Sequence, residues 1–579
     1  MKHPFEPHLQ GHGVSPGIVQ GPAFVLRKKK LVQVETHFQG VEVESERFRL
    51  AQRQVVNKIE KLAAKIQREV GSSEAEIFEA HLMMIQDEEF IGGVYEQIKA
   101  QKVTAERASE LVFEAQIKVF EASDSDYMRE RTLDLKDLQG QIARALAAED
   151  DALFSAIQSP VILVAEDLTP TQTVNLERRN ILGIITERGG STSHTAILAR
   201  TLGIPAIVGI EGACERLNIE GEMVMDGTDG TVYLLKENGI REYFFLKLQD
   251  QAQALRDSNQ FRDKPTLTKD GHSVSLFANI GRPSDISAVT AGDAEGVGLF
   301  RSEFCFMEQS SAPTLHDQTQ KYSEVLNYLA PKEVVIRTLD IGGDKPLTYV
   351  PMPHEENPFL GVRAIRFCLQ HPDFFKTQIK ALLLSNTKGN LSILIPMVSR
   401  VSEAKEVVEL VHQCSQELQS HPDYRNEKFK IGVMVEIPAL VFELRELAGL
   451  VSFVSVGTND LLQYSVAVDR LNPALQSLYS PYNLGFIRMM KFLADEALAA
   501  GLGLGICGEL GGNEAFVPLW IAMGYQKLSM SPKQILTVRS LISKLDLKLC
   551  RALLERVLCS SDEKAVKELL AQFVVQGNS

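Results

Sequence analysis

Val451-Ser-Phe-Val-Ser-Val-Gly-Thr-Asn-Asp460 is an apolar, β-branched run that stops at a glycine and then presents an amide and a carboxylate. The run has the length and composition of a buried strand, and the polar pair sits where that strand ends. The same sentence is written seven more times in the second half of the chain. Strand-like segments at 274–280, 295–300, 333–338, 391–397, 431–436, 503–507 and 527–530 alternate with stretches of helical period. Eight alternations over about 310 residues predict a (β/α)₈ barrel, whose working end is the one where the strands terminate.

The residues delivered at those ends are polar and chemically related. Arg301 follows the second segment in Gly298-Leu-Phe-Arg-Ser-Glu-Phe304, and Arg337 follows the third in Ile336-Arg-Thr-Leu-Asp-Ile-Gly-Gly-Asp-Lys345. Glu436 closes the fifth in Val433-Met-Val-Glu-Ile-Pro438. The sixth gives Asn459 and Asp460, with Arg470 just downstream in Ala467-Val-Asp-Arg470, and the seventh gives Cys507 in Gly505-Ile-Cys-Gly-Glu-Leu510. If they converge, the site holds three guanidinium groups, a thiol, and carboxylate and amide oxygens. Arginine matches phosphate and carboxylate oxygens in pairs, and Glu436 with Asp460 offers hard oxygen ligands of the kind Mg²⁺ takes together with a substrate phosphate. The implied ligand is a small, doubly anionic phosphate ester. Structural ion pairs along one barrel rim are the alternative reading of any single arginine and carboxylate.

A second chemical signal lies upstream, in Gly189-Gly-Ser-Thr-Ser-His-Thr-Ala-Ile-Leu-Ala-Arg200. The strand-like run at 181–186 precedes it and helical spacing follows, which places His194 at a helix start. Free N–H groups and the helix dipole stabilise an anion there, and the same field favours a neutral, nucleophilic imidazole. The hydroxyls would equally cap a helix that carries a surface histidine.

Composition sets the frame. The 579 residues carry a net charge of -14, with 61 Lys and Arg against 75 Asp and Glu. Such a balance argues against nucleic-acid binding, which needs clustered cations; the one basic run, Arg27-Lys-Lys-Lys30, is short. Seven scattered cysteines show neither disulfide nor zinc spacing. No run approaches the ~20 apolar residues of a membrane span, and the N-terminus lacks the apolar core of a signal peptide, so a soluble cytoplasmic protein without membrane insertion is expected.

The N-terminal half divides by punctuation. Short apolar runs with glycine turns up to about residue 26 predict strands. From 41 to 148 there is no proline, and apolar residues recur at three, four and seven, predicting a bundle of long amphipathic helices. Strand-like runs at 161–164, 181–186, 206–208, 223–225 and 231–235 make a compact α/β unit. The first strands are too few to fold alone, so they are expected to join this later unit, with the helices inserted between.

At this point Gly189 to Arg200, Arg337 to Lys345, Gly457 to Arg470 and Ile506 to Gly511 resemble the signatures of the enzyme I family of bacterial phosphotransferase systems, in the family's domain order and over nearly the whole chain. The resemblance implies a multidomain α/β protein: a swivelling phosphohistidine domain (1–30 and 150–235), an inserted helical subdomain that binds the carrier HPr (31–149), a linker helix (236–264) and a phosphoenolpyruvate-binding barrel of TIM type (265–579). It implies transfer of the phosphoryl group of phosphoenolpyruvate to His194 and then to an HPr-like phosphocarrier, with pyruvate released. Arg301, Arg337, Asn459, Asp460 and Arg470 would bind substrate, Glu436 and Asp460 would hold Mg²⁺, and Cys507 would protonate the enolate. Thr173 would orient the other ring nitrogen of His194, and a homodimer through the barrel is implied. The acidic segment Glu74 to Glu89 with Met83 and Met84 is the expected carrier surface, and His81 within it is read as structural or peripheral to docking. Ser191 and Val362 depart from the arginine and tryptophan usual in the family. Pyruvate-phosphate dikinase and phosphoenolpyruvate synthase share the histidine domain and barrel but need an ATP-binding domain, and no P-loop stands in this chain. A catalytically silent signalling protein is disfavoured by the full set of strand-end residues.

Overall fold

The computed structural model describes the chain except residues 1–4, 27–36, 70–77, 79–80, 122–125, 148–156, 158, 169–171, 173–179, 191–194, 197–198, 200–202, 218–220, 236–237, 308, 310, 344–346, 348, 351–354, 471, 473–474, 476 and 578–579. It splits into two compact units, Met1–Gln251 and Ala252–Ser579.

In the first unit an eight-stranded sheet is assembled from both sides of a helical segment. Its strands are β1 (Leu9–Gln10), β2 (His12–Ser15), β3 (Ile18–Leu26), β4 (Val161–Ala165), β5 (Ile181–Thr186), β6 (Ala206–Val208), β7 (Glu222–Asp226) and β8 (Thr231–Leu234), in the spatial order β1-β8-β7-β3-β4-β5-β6-β2. The early strands do find their partners late in the sequence: β3 runs parallel to β4 and antiparallel to β7, while β2 pairs with β6 and β1 with β8. Alternate residues of the same strands pack into separate apolar cores on the two faces, so a shift of one residue would exchange the two sets and misfit both cores. Between β3 and β4 lie the helices Val41–Glu69, Glu88–Gln101, Ala105–Glu121 and Asp126–Leu146. Their apolar stripes meet in a core of Phe48, Val55, Ile59, Phe90, Val94, Ile98, Phe113 and Leu138, as the spacing predicts. Asp87 accepts from the backbone N–H groups of Glu89 and Phe90, capping the second of these helices.

The second unit is a closed barrel of eight parallel strands: β9 (Ser275–Ile280), β10 (Val297–Arg301), β11 (Val334–Arg337), β12 (Leu391–Ile395), β13 (Lys430–Val435), β14 (Phe453–Val456), β15 (Gly503–Ile506) and β16 (Lys527–Met530), with β16 returning to β9. Closure removes both sheet edges. Every strand expected from sequence is present within a few residues. Leu299, Val335, Leu394, Met434, Phe453 and Cys507 form a separate apolar cluster from the strands that close the barrel. A helix, Asn238–Asn259, occupies most of the segment expected as a linker, and no helix among the described residues is long and apolar enough to cross a membrane.

Candidate active site

A cavity of about 480 Å³ opens at the strand C-termini, and its wall includes Arg301, Arg337, Glu436, Asn459, Asp460, Arg470 and Cys507. All seven barrel residues singled out from sequence therefore meet in one place. Arg301 and Arg337 are the last residues of β10 and β11, and Glu436 follows β13 directly. Asn459 and Asp460 are not on the strand but in the first turn of the helix Thr458–Val466, where the helix dipole adds to the field they present. The Tyr479 hydroxyl donates to the Asn459 carbonyl at 3.0 Å and fixes that turn.

Four guanidinium groups reach the cavity rather than three. Arg363 is the addition, almost wholly buried, and it forks onto one carboxylate: Nε donates to Asp340 Oδ1 at 2.9 Å and Nη2 to Oδ2 at 3.2 Å. Its Nη1 reaches Asp460 Oδ1 at 3.2 Å, and Arg470 Nη1 stands 3.4 Å from the same oxygen. Arg337 is paired with Glu303 and lies 3.0 Å from Asp340 Oδ2. Burial works against the charge on Arg337 and Arg363, but the surrounding carboxylates outweigh it and hold both guanidiniums charged. Arg301 differs from the other three. Among the described residues it makes no ion pair, which leaves its fork available to a ligand.

Glu436 is buried, and burial, together with the neighbouring Asp460 and Asp340 charges, pushes its carboxyl up to about 8. Its Oε1 accepts from the Met397 N–H at 2.6 Å. A Cβ on Gly457 would stand 2.7 Å from Glu436 Oε2, so glycine is what admits the carboxylate here. Two non-glycine residues with positive φ flank these groups, Met397 at 58° and Ala364 at 51°. Such conformations cost about 1–3 kcal/mol each and persist only where the surroundings enforce them. Among the described residues no group of three or more His, Cys, Asp or Glu is arranged to hold a metal alone. Glu436 and Asp460 do suit Mg²⁺, which takes one or two carboxylates and completes its shell with water and phosphate oxygens, and a cation would relieve the carboxylate crowding that raises Glu436.

Cys507 is fully buried, and burial pushes its thiol up to about 11 with Glu436 adding to the effect, while Ser455, Arg337 and Arg301 oppose it. The group is therefore a protonated acid at neutral pH, with Sγ donating to the Val456 carbonyl at 3.5 Å. Cys305, Cys368, Cys414 and Cys550 are buried, Cys214 is half-buried and Cys559 is exposed, and none of the six lines this cavity.

In the first unit Thr195 and Ala196 are helical and buried. His194, Thr173 and Ser191 lie outside the described residues. His81 is fully buried with Nε2 3.2 Å from Asp134 Oδ1, in agreement with a structural place.

Comparison with known proteins decides the family. Residues 255–547 match the PEP-binding domain of PEP-utilising enzymes, residues 10–131 the N-terminal domain and residues 157–230 the mobile domain. The phosphoenolpyruvate-protein phosphotransferase of Listeria monocytogenes is 37% identical over 569 residues, covering 98% of this chain and 99% of its own. Those of Bacillus subtilis and Enterococcus faecalis are each 37% identical, covering 96% of this chain and 98% and 97% of theirs. The chain belongs to the phosphoenolpyruvate-protein phosphotransferase family. For a member of this family, sequence reasoning missed Arg363, Asp340 and Glu303 at the site. Arg363 had a visible signal in Leu360-Gly-Val-Arg363, a glycine turn ending in a cation. Asp340 lay within the quoted Arg337 motif and Glu303 within the quoted Arg301 motif, two residues past a strand end, but neither motif shows which arginine its carboxylate meets.

Proposed function

We propose that this enzyme transfers the phosphoryl group of phosphoenolpyruvate to His194 and then to a histidine of an HPr-like phosphocarrier, releasing pyruvate as the first step of a sugar phosphotransferase system. The observation that carries this reading is the single cavity in which arginines, two candidate metal carboxylates and a protonated thiol meet. Arg301, Arg337 and Arg470 would bind the carboxylate and phosphate of the substrate, with Asn459 as a further donor. Glu436 and Asp460 would hold Mg²⁺, which when bound neutralises charge on the phosphate oxygens.

As the bond between phosphorus and the enol oxygen breaks, a bond from His194 nitrogen to phosphorus forms. The enolate left behind collapses to a ketone while its C3 takes the proton from Cys507 Sγ. The S–H electron pair stays on sulfur, and the thiolate regains a proton from solvent. A thiol held near 11 gives that proton only to a strong carbon base such as an enolate, which protects it between turnovers.

The histidine domain (1–30 and 150–235), helical subdomain (31–149), linker helix (236–264) and barrel (265–579) are the corresponding division of labour. Since His194 and the barrel belong to different units, loading and discharge call for a movement of the histidine domain. Met83, exposed at 70%, and the exposed Glu88 and Glu89 support carrier docking on the helices. On the barrel, Phe442 and Phe492 are exposed and packed ring against ring at a tilt, their centroids 5.4 Å apart, which supports a homodimer through that domain. The compartment expected for this chemistry is the cytoplasm.

Incubation with labelled phosphoenolpyruvate and Mg²⁺ tests the reading. Acid-labile label on the protein, absent in His194→Ala and matched by released pyruvate, supports it. An unlabelled wild type overturns it, and label taken from ATP instead would point to the dikinase alternative.

A further inference from the structure

Cys507 stands one residue beyond the end of a ladder. The pairing of β15 with β16 runs through Gly505 with Lys527 and Ile506 with Leu528, and stops there. The Cys507 N–H donates back to the Val456 carbonyl on β14, as does the N–H of Gly508. The Cys507 carbonyl is met from a strand that is not a neighbour of β15: Asn279 Nδ2 on β9 donates to it at 3.0 Å, reaching past β16. Asn279 is paired in register with Leu299, and Leu299 belongs to the same apolar cluster as Cys507.

The other end of the amide has no such partner. Asn279 Oδ1 is buried and accepts no hydrogen bond among the described residues. A buried acceptor left unsatisfied is an expense that packing alone does not justify. The side chain also borders a second cavity, of about 660 Å³, which abuts the first through Arg301, Glu509 and Leu510.

We infer that Asn279 is a positioning residue for proton delivery: by holding the Cys507 carbonyl it fixes the turn of the Cys507–Gly508 peptide and so aims Sγ at one face of the enolate. The inference rests on the proposed role of Cys507 as proton donor. Rotation of that peptide would move Sγ out of line without altering the arginines that bind substrate. Misplacement by about 1 Å is enough to lower a rate by roughly 10- to 100-fold.

The test uses the full chain with Mg²⁺ and an HPr-type phosphocarrier as acceptor, in deuterated water, and phosphoenolpyruvate stereospecifically labelled at C3. Asn279→Asp keeps the size of the side chain and removes the donor. The expected result is a kcat for pyruvate release lowered about 10- to 100-fold, a KM for phosphoenolpyruvate within about twofold of wild type, and pyruvate of mixed methyl configuration. Asn279→Leu and Asn279→Ser guard against a single misfolded variant and are expected to behave alike. A raised KM with unchanged kcat, retention of both rate and methyl configuration, or failure of all three variants to fold overturns the inference. Cys507→Ser run in parallel separates the two claims. If it still gives a single methyl configuration at the wild-type rate, the proton-donor reading has failed; if it does not and Asn279→Asp does, only the positioning role has failed.

Discussion

The two ends of the barrel hold their carboxylates in opposite ways. At the foot, where strands begin, Glu333 lies against Lys527 and 3.1 Å from Lys430, with the Ser392 hydroxyl donating to it at 2.7 Å. Burial alone would raise its carboxyl, but Lys527 outweighs that and, with Ser392 and Lys430, brings it down to about 2. At the rim, Glu436 shares its surroundings with Asp460 and Asp340 and is pushed up to about 8. One carboxylate is stabilised by its neighbours and the other is left wanting a cation. The foot is built for stability and the rim for a ligand, in keeping with the division of labour in such barrels.

Arg301→Ala should sharpen that contrast most. Because Arg301 makes no ion pair among the described residues, its loss leaves no orphaned charge. Phosphorylation by phosphoenolpyruvate should fall by roughly 10³-fold, measured as initial rate of labelling, with the melting temperature unchanged. A large drop in melting temperature would show that the rim arginine is structural.

Cys507→Ser comes next, since a serine hydroxyl is a far weaker acid than a thiol. Pyruvate release should slow by about 10²-fold with KM for phosphoenolpyruvate little changed.

The pH dependence of stability should then differ in sign at the two ends. Glu436 is raised in the folded chain, so between about 4.5 and 8 the unfolded state loses a proton that the folded state keeps. Its contribution therefore weakens the fold as pH rises through that window. Glu436→Gln should be more stable than wild type at pH 8 in the absence of Mg²⁺, by about 1 kcal/mol or more. Glu333 is lowered, so its contribution is present above about 4.5 and is lost as pH falls toward 2. Glu333→Gln should lose about 1–2 kcal/mol at neutral pH and keep full activity. Denaturant melts at several pH values read both. The smallest effect belongs to Lys430→Met, below about 1 kcal/mol, because that lysine is largely exposed.

The contrast also marks what could be read from sequence. The rim was legible because each strand announces itself by an apolar run and each functional residue comes at its end, in Val-Met-Val-Glu436 or Gly-Thr-Asn-Asp460. The paired early and late strands of the first unit were legible because residues up to 26 are too few to fold alone. Glu333, Lys430 and Lys527 were not, since each is an unremarked charge at a strand start and they become a cluster only through barrel closure and register. Arg363 was hidden for a related reason. It arrives from a turn between helices, next to the positive φ of Ala364, and finds Asp340 and Asp460 across 23 and 97 residues of sequence.

The most direct test is to measure labelling by phosphoenolpyruvate and Mg²⁺ together with the pH 8 melting point in two isosteric variants. The account predicts that Glu436→Gln loses labelling and melts higher in the absence of metal, while Glu333→Gln keeps labelling and melts lower. Retained labelling in Glu436→Gln, or lost labelling in a folded Glu333→Gln, would contradict the assignment of function to the rim and stability to the foot.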